Sequence, residues 1–186
     1  MCVTAWTTLE EEHVIVNPID IPGVDRVIVR GSYDCEPLSM VVQKLKYHYW
    51  TGVGVALQDM LRPMIDEVQC PKQTVIVPVP LHSRRLRERG FNQSMYLAQA
   101  LSKITKFPVS NILQRTRYTT PQAQLSAKER TKNIIGAFGN GKKVLWPKSV
   151  ILVDDVITTG STIAECAAIL RKNGVRKITA VALAKG

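Results

Sequence analysis

Two adjacent acids, Asp154 and Asp155, end an apolar run, and the turn Thr158-Thr159-Gly160-Ser161-Thr162 follows two residues later, after Val156 and Ile157. Hydroxyls and backbone N–H groups in a short glycine turn suit an anion, above all where the turn opens a helix. Gly160 permits a positive φ or a close backbone approach. A phosphate held beside paired carboxylates reads as a sugar phosphate. Residues 156–162 would take the phosphate, while the acids accept hydrogen bonds from ribose hydroxyls or organise Mg²⁺. The turn is not a Walker A loop, because no G-x-x-x-x-G-K-[ST] is present.

A second cluster is basic. In LHSRRLRERGFN, Arg84, Arg85, Arg87 and Arg89 fall within six residues, a density suited to bidentate phosphate contacts. They open a block, residues 81–148, that holds 14 Lys/Arg against 2 Asp/Glu, whereas residues 1–80 hold 6 against 10. The whole chain carries a net charge of +10, so the middle third supplies all of the excess. Such a block implies polyanionic partners: phosphates, diphosphates or nucleic acid. Lys142 and Lys143 extend it beyond the arginine cluster.

The elements that position these residues follow from periodicity. SVILVDD, with its β-branched residues, predicts a buried parallel strand. IAECAAILRKN has helical spacing and ends at Gly174, and RKITAVALA predicts a second strand, so the whole is a right-handed βαβ unit. Upstream, TVIVPVP predicts a strand, LHSRRLRERGFN a basic loop, SMYLAQALSKI a helix capped by Asn92 or Ser94, and VSNILQRTR the next strand. VDRVIVRGSYD predicts a strand or hairpin arm, and PLSMVVQKLKYHYW and GVALQDMLRPMI two helices. Residues 116–143 lack strong periodicity, and a loop of that length in a compact domain is usually functional.

Bulk properties narrow the classes. The 186 residues, with 45% hydrophobic content, suit one α/β domain. Mean hydropathy is −0.01, no apolar run nears the ~20 residues of a membrane span, and the acidic start lacks a signal-peptide pattern. A cytoplasmic protein without membrane insertion is expected. Cys2, Cys35, Cys70 and Cys166 form no C-x-x-C pair, and His13, His48 and His82 form no local ligand cluster. Reduced thiols are expected, not a zinc site or a disulfide framework.

ILVDDVITTGST resembles the signature of type I phosphoribosyltransferases: four apolar residues, two acids, two apolar residues and a T-x-G-x-T phosphate loop. VPVPLHSRRLRERGFNQS, PQAQLSAKERTKNIIGAF and the helix around KLKY are similar to segments of the ComF/GntX group of competence-associated proteins, in that group's order. The resemblance covers roughly residues 30–186. It implies a mostly parallel α/β sheet with helices on both faces and a mobile lid, residues 31–186 forming the domain and 1–30 an extension or partial hood. It lacks the group's cysteine-rich ribbon, so zinc is not carried over.

The resemblance also implies roles. Leu81, His82, Ser83, Arg84 and Arg85 would form the diphosphate-binding loop, and residues 116–135 the lid, with Gln122, Lys128, Arg130 and Asn133 as its polar candidates. Lys44, Lys46 and Tyr47 would border the base side. Asp154, Asp155 and Arg130 would be catalytic and the two acids would hold Mg²⁺ with 5-phosphoribosyl-1-diphosphate. Transfer would proceed by dissociative displacement at the anomeric carbon, with Arg84, Arg85, loop amides and Mg²⁺ stabilising the departing diphosphate. Purine-specific relatives often place an acid where Thr158 stands, and a threonine cannot serve as their general base. Three readings follow. The favoured one is a DNA-uptake protein that binds single-stranded DNA through the basic block, including Arg87, Arg89, Lys142 and Lys143, and works with a helicase-like ATPase. The others are a phosphoribosyltransferase of nucleotide metabolism and a donor-sensing regulator; a homodimer is left open.

Overall fold

The computed structural model describes residues 14–47, 53–119, 133–141 and 145–186. In chain order the strands are β1 (Ile15–Val16), β2 (Arg26–Ser32), β3 (Thr74–Pro78), β4 (Leu113–Arg115), β5 (Phe138–Asn140), β6 (Ser149–Ile157) and β7 (Lys177–Lys185). The helices are α1 (Glu36–Tyr47), α2 (Val53–Leu61), a 3₁₀ turn (Arg62–Glu67), α3 (Ser83–Arg89), α4 (Gln93–Thr105) and α5 (Ser161–Lys172).

Five strands form the main sheet in the order β1-β2-β7-β6-β3, in which only the β1–β2 pair is antiparallel. The central strands are apolar on both faces because helices or hairpin cover each one. On one face Ile28, Ile76, Ile151, Val153, Val181 and Leu183 meet Leu38 and Leu45 of α1, Leu57 of α2 and Leu97 and Leu101 of α4. On the other, Val29, Val77, Val150 and Leu152 meet Ile163, Cys166 and Leu170 of α5 together with Ile112, Leu113 and Phe138 of the β4–β5 region. Fully burying one such Leu or Ile is worth roughly 1.5–3 kcal/mol, so both layers contribute to holding the sheet in place under its site edge.

The predicted βαβ unit at the end of the chain is present as β6, α5 and β7, with Gly174 at φ +85° just beyond the helix. Asn92 caps α4, its side chain accepting from Ser94 N. Three expectations are corrected. The basic segment expected as a loop is helix α3: His82 caps its start by accepting from Arg84 N, and Gly90 at φ 79° ends it. Strong end signals around a short run of helix-favouring arginines thus outweigh the absence of an apolar face. VSNILQRTR does not continue the parallel sheet. Val109 makes a single bridge to Ile76, and the chain then leaves to pair β4 antiparallel with β5 in a separate two-stranded sheet. The stretch 116–143 holds strand β5, too short to show a period. Ahead of residue 31, β1 pairs with β2 and Ile21 joins the core.

Candidate functional site

The parallel register ends β3 beside Val153, which pairs with Pro78, and β6 runs on past it at the C-terminal edge of the sheet. In an open parallel sheet that edge is where ligands bind. Beyond β3, Val79 N donates to Val153 O at 2.9 Å, which lays the start of the 79–85 loop beside the acids that β6 delivers next.

Asp154 and Asp155 are both half-buried. Asp154 Oδ1 accepts from Ser94 Oγ at 3.0 Å and from Asp155 N at 2.9 Å, and Asp155 Oδ1 accepts from Val156 N at 2.9 Å. These hydroxyl and backbone donors fix the two carboxyl groups, so the pair stands as oriented oxygen ligands. Such hard donors suit Mg²⁺ shared with a phosphorylated ligand rather than an all-protein cage. Among the described residues no group of three or more His, Cys, Asp or Glu is placed to hold a metal.

Val156 and Ile157 complete β6, Ile157 fully buried, and lead to the turn. Gly160, at φ 74°, is the N-cap of α5, and Ala164 N donates to its carbonyl at 2.8 Å. A Cβ there would also stand 2.9 Å from both Cδ1 and Cγ1 of Ile21, so shape and neighbour each require glycine. Thr159 Oγ1 and Ser161 Oγ lie 2.7 Å apart, and Ser161 N donates to Thr159 Oγ1 at 3.4 Å. Thr158 and Thr162 are half-buried on either side. The turn therefore presents hydroxyls and first-turn amides in one small cup at a twelve-residue helix.

The arginine loop is assembled differently. Leu81 and His82 are half-buried and Ser83 is exposed. Arg84 bridges to Glu88 at 3.0 Å and lies 4.7 Å from the ring centroid of Tyr118, while His82 meets the same ring edge-on at 5.4 Å. Arg85 Nη2 donates to Thr119 O at 3.1 Å. Arg87 is exposed and Arg89 half-buried along the same helix. Behind the loop a groove of about 380 Å³ is lined by Leu81, Leu86, Phe91, Tyr96, Gln99 and Asn111, among others.

Sequence reading named neither Arg115 nor Ile21 as site residues; it had Ser94 only as a candidate helix cap and Arg117, Tyr118 and Thr119 only within the span of the lid. Arg115 Nη2 donates to Thr119 Oγ1, and its guanidinium lies 5.2 Å from the Phe138 centroid. Burial pulls the Arg115 pKa below its ordinary value and Arg85 pulls it further, against the opposing attraction of Asp154. Arg117 Nη2 donates to the carbonyls of Asn133 at 3.0 Å and Ile135 at 2.7 Å, tying together the two ends of the expected lid. The alternation Arg115-x-Arg117 at the end of a predicted strand was the available signal for this pair. Among the lid candidates Asn133 is described. Gln122, Lys128 and Arg130 lie outside the described residues, as do Lys142 and Lys143, while Lys44 is half-buried on α1. No helix among the described residues is long and apolar enough to cross a membrane.

The phosphoribosyl transferase domain family matches residues 91–186. Competence protein F of Haemophilus influenzae is 37% identical over 171 residues, covering 88% of this chain and 74% of that protein. DNA utilization protein YhgH of Escherichia coli strain K12 is 36% identical over 84% of this chain and 70% of its own length. Competence protein ComFC of Bacillus subtilis is 30% identical over 55% of this chain and 40% of that protein.

Proposed function

Because the chain belongs to the competence protein F group of phosphoribosyl transferase domain proteins, we propose that it serves DNA uptake in the cytoplasm, around a retained 5-phosphoribosyl-1-diphosphate site. One observation carries the donor reading: the paired acids, the Gly160 cup and the arginine loop share a single sheet edge. The cup would hold the 5-phosphate by amides and hydroxyls, Asp154 and Asp155 the ribose hydroxyls, and residues 81–85 the diphosphate. Mg²⁺, when bound, would neutralise diphosphate charge, and the two carboxylates are the residues suited to hold it.

The DNA reading is supported by the names of the relatives, which include competence and DNA utilization proteins. It is also supported by α3, which carries Arg84, Arg85, Arg87 and Arg89 and lends Leu86 to a groove lined by Phe91 and Tyr96, their rings 5.5 Å apart. Cations beside aromatic rings suit phosphates and unstacked bases of a single strand. The test is titration with donor plus Mg²⁺ and with a single-stranded oligonucleotide, separately and in competition. Binding of both ligands is expected. Replacing Lys142 and Lys143 by Glu is expected to weaken DNA binding and flatten its salt slope while donor binding survives. No DNA binding at low salt would sink the uptake reading.

Active phosphoribosyl transfer is the second reading. It is favoured by the orientation of Asp154, fixed by both Ser94 and Asp155 N. Diphosphate release from the donor in the presence of single-stranded DNA or free bases would support it; a donor that stays intact throughout would argue for binding alone.

A further inference from the structure

Arg115 and Arg85 reach the same residue from different elements. Arg115 ends β4, in the small sheet, and is bridged to His82 of the arginine loop; Arg85 comes from the first turn of α3. Arg115 Nη2 donates to Thr119 Oγ1, and Arg85 Nη2 donates to Thr119 O. Two guanidinium charges thus converge on one neutral, buried threonine, 3% exposed. Among the described residues neither arginine forms an ion pair, in contrast to Arg84 with Glu88. Arg115 Nε is buried and has no hydrogen-bond partner among the described residues.

This arrangement is costly as it stands. Like charges repel, and a buried donor without an acceptor loses its water without compensation. The ring of Phe138 lies 5.2 Å from Arg115 and that of Tyr118 5.8 Å from Arg85, so contact with ring faces helps fix both side chains and leaves N–H edges for a ligand. Guanidinium forks match phosphate oxygens in pairs, and a charge of two or more on the ligand would relieve the repulsion that a hydroxyl cannot.

We infer that Arg115 is, with Arg85, a binding residue for the diphosphate end of the donor, and that Thr119 stands in for a diphosphate oxygen when no ligand is bound. This rests on the donor reading above and adds to it a residue from a strand outside the parallel sheet. The ligand class is a diphosphate ester or free inorganic diphosphate, accompanied by Mg²⁺.

The experiment is calorimetry with inorganic diphosphate and, separately, ribose 5-phosphate, each with Mg²⁺, on the wild-type chain and on Arg115→Met, Arg115→Lys and Thr119→Val. Arg115→Met is expected to weaken diphosphate binding by about tenfold or more, the loss of charge-assisted hydrogen bonds, and to leave ribose 5-phosphate within about twofold. Arg115→Lys should recover part of the loss. Thr119→Val keeps both cations and removes the competing hydroxyl, so it should bind diphosphate at least as tightly as wild type. Wild-type diphosphate affinity in Arg115→Met would overturn the inference, and so would weakened binding in Thr119→Val, which decides the matter if Arg115→Met does not fold. A wild-type chain that binds ribose 5-phosphate but not diphosphate would overturn the inference and leave the Gly160 cup intact. One that binds neither would overturn the donor reading itself.

Discussion

The two halves of the site are built on different principles. The Gly160 cup is made of backbone: a strand end, one left-handed glycine and the first turn of α5, with Ile21 packed beneath. The arginine loop is made of long side chains gathered from α3 and β4 and steadied by Tyr118 and Phe138. A backbone cup fails all at once when its one permissive residue is lost. A side-chain cluster degrades by steps, because each arginine carries only its share of the field.

The largest effect is therefore expected at Gly160. Gly160→Val places a branched side chain at φ 74° and into the 2.9 Å contact with Ile21. Strain and overpacking of about 1–3 kcal/mol each should lower the melting temperature. Ribose 5-phosphate plus Mg²⁺ should stabilise the wild type in a thermal-shift assay and leave the variant unmoved. Equal shifts would mean that the phosphate lies elsewhere. Adding Ile21→Ala to Gly160→Ala sharpens the contrast, since it removes the clash and keeps the φ penalty, so the double variant should recover stability only in part.

Next comes the acid pair that joins the halves. Asp154→Asn with Asp155→Asn keeps the shapes and most hydrogen bonds but removes the charge. Mg²⁺-dependent donor binding should vanish while circular dichroism stays native. An unchanged calorimetric affinity would reduce both acids to capping groups.

On the side-chain half a single change should be graded. Arg87 is exposed on α3, and Arg87→Gln should cost little stability. If Arg87 meets one phosphate of a single strand, the variant should reduce the slope of log affinity against log salt by about 0.7. An unaltered slope in fluorescence anisotropy would move the DNA path off this helix.

The smallest effect concerns Cys166, buried on α5 between the two halves. Burial pushes its thiol pKa well up, and Asp154 adds to the rise. A raised folded-state pKa makes a contribution that is whole below the unfolded thiol's pKa and is lost as pH rises, because the unfolded chain ionises first. Between about pH 8 and about pH 10, around the ordinary thiol range, the melting temperature of wild type should fall somewhat more steeply than that of Cys166→Ala. Parallel slopes would place the thiol in contact with solvent. Cys35 and Cys70, both half-buried, should react with a thiol reagent sooner than Cys166 does.

The same contrast explains what the sequence made legible. SVILVDDVITTGST carries its strand, its acids, its glycine and its helix start in one contiguous run, so local rules sufficed to derive the cup. The arginine loop depends on contacts across the chain. Nothing in residues 81–90 announces that Thr119 will receive Arg85, or that Arg115 will arrive beside it. Helix α3 was read as a loop because it buries no residue, and periodicity reports burial rather than helicity. VSNILQRTR reads as a strand, but its composition cannot say which partner it pairs with. Ile21 was invisible for a simpler reason: its role is to fill space under a turn 139 residues later.

The strand order has a bearing on how the chain is made. In β1-β2-β7-β6-β3 the early strands β2 and β3 flank two strands that are translated after both. While the first half leaves the ribosome, β2 has only the two-residue β1 beside it and β3 only the single bridge at Val109. Neither can complete the sheet until β6 and β7 emerge between them, so its assembly must wait for both and then close contacts of long sequence separation. Synthesis at about 5–20 residues per second leaves the apolar strand edge of Thr74–Pro78 exposed for several seconds. A nascent chain of this kind is a natural client for holding chaperones, and slowing translation between β3 and β6 should raise the fraction that aggregates.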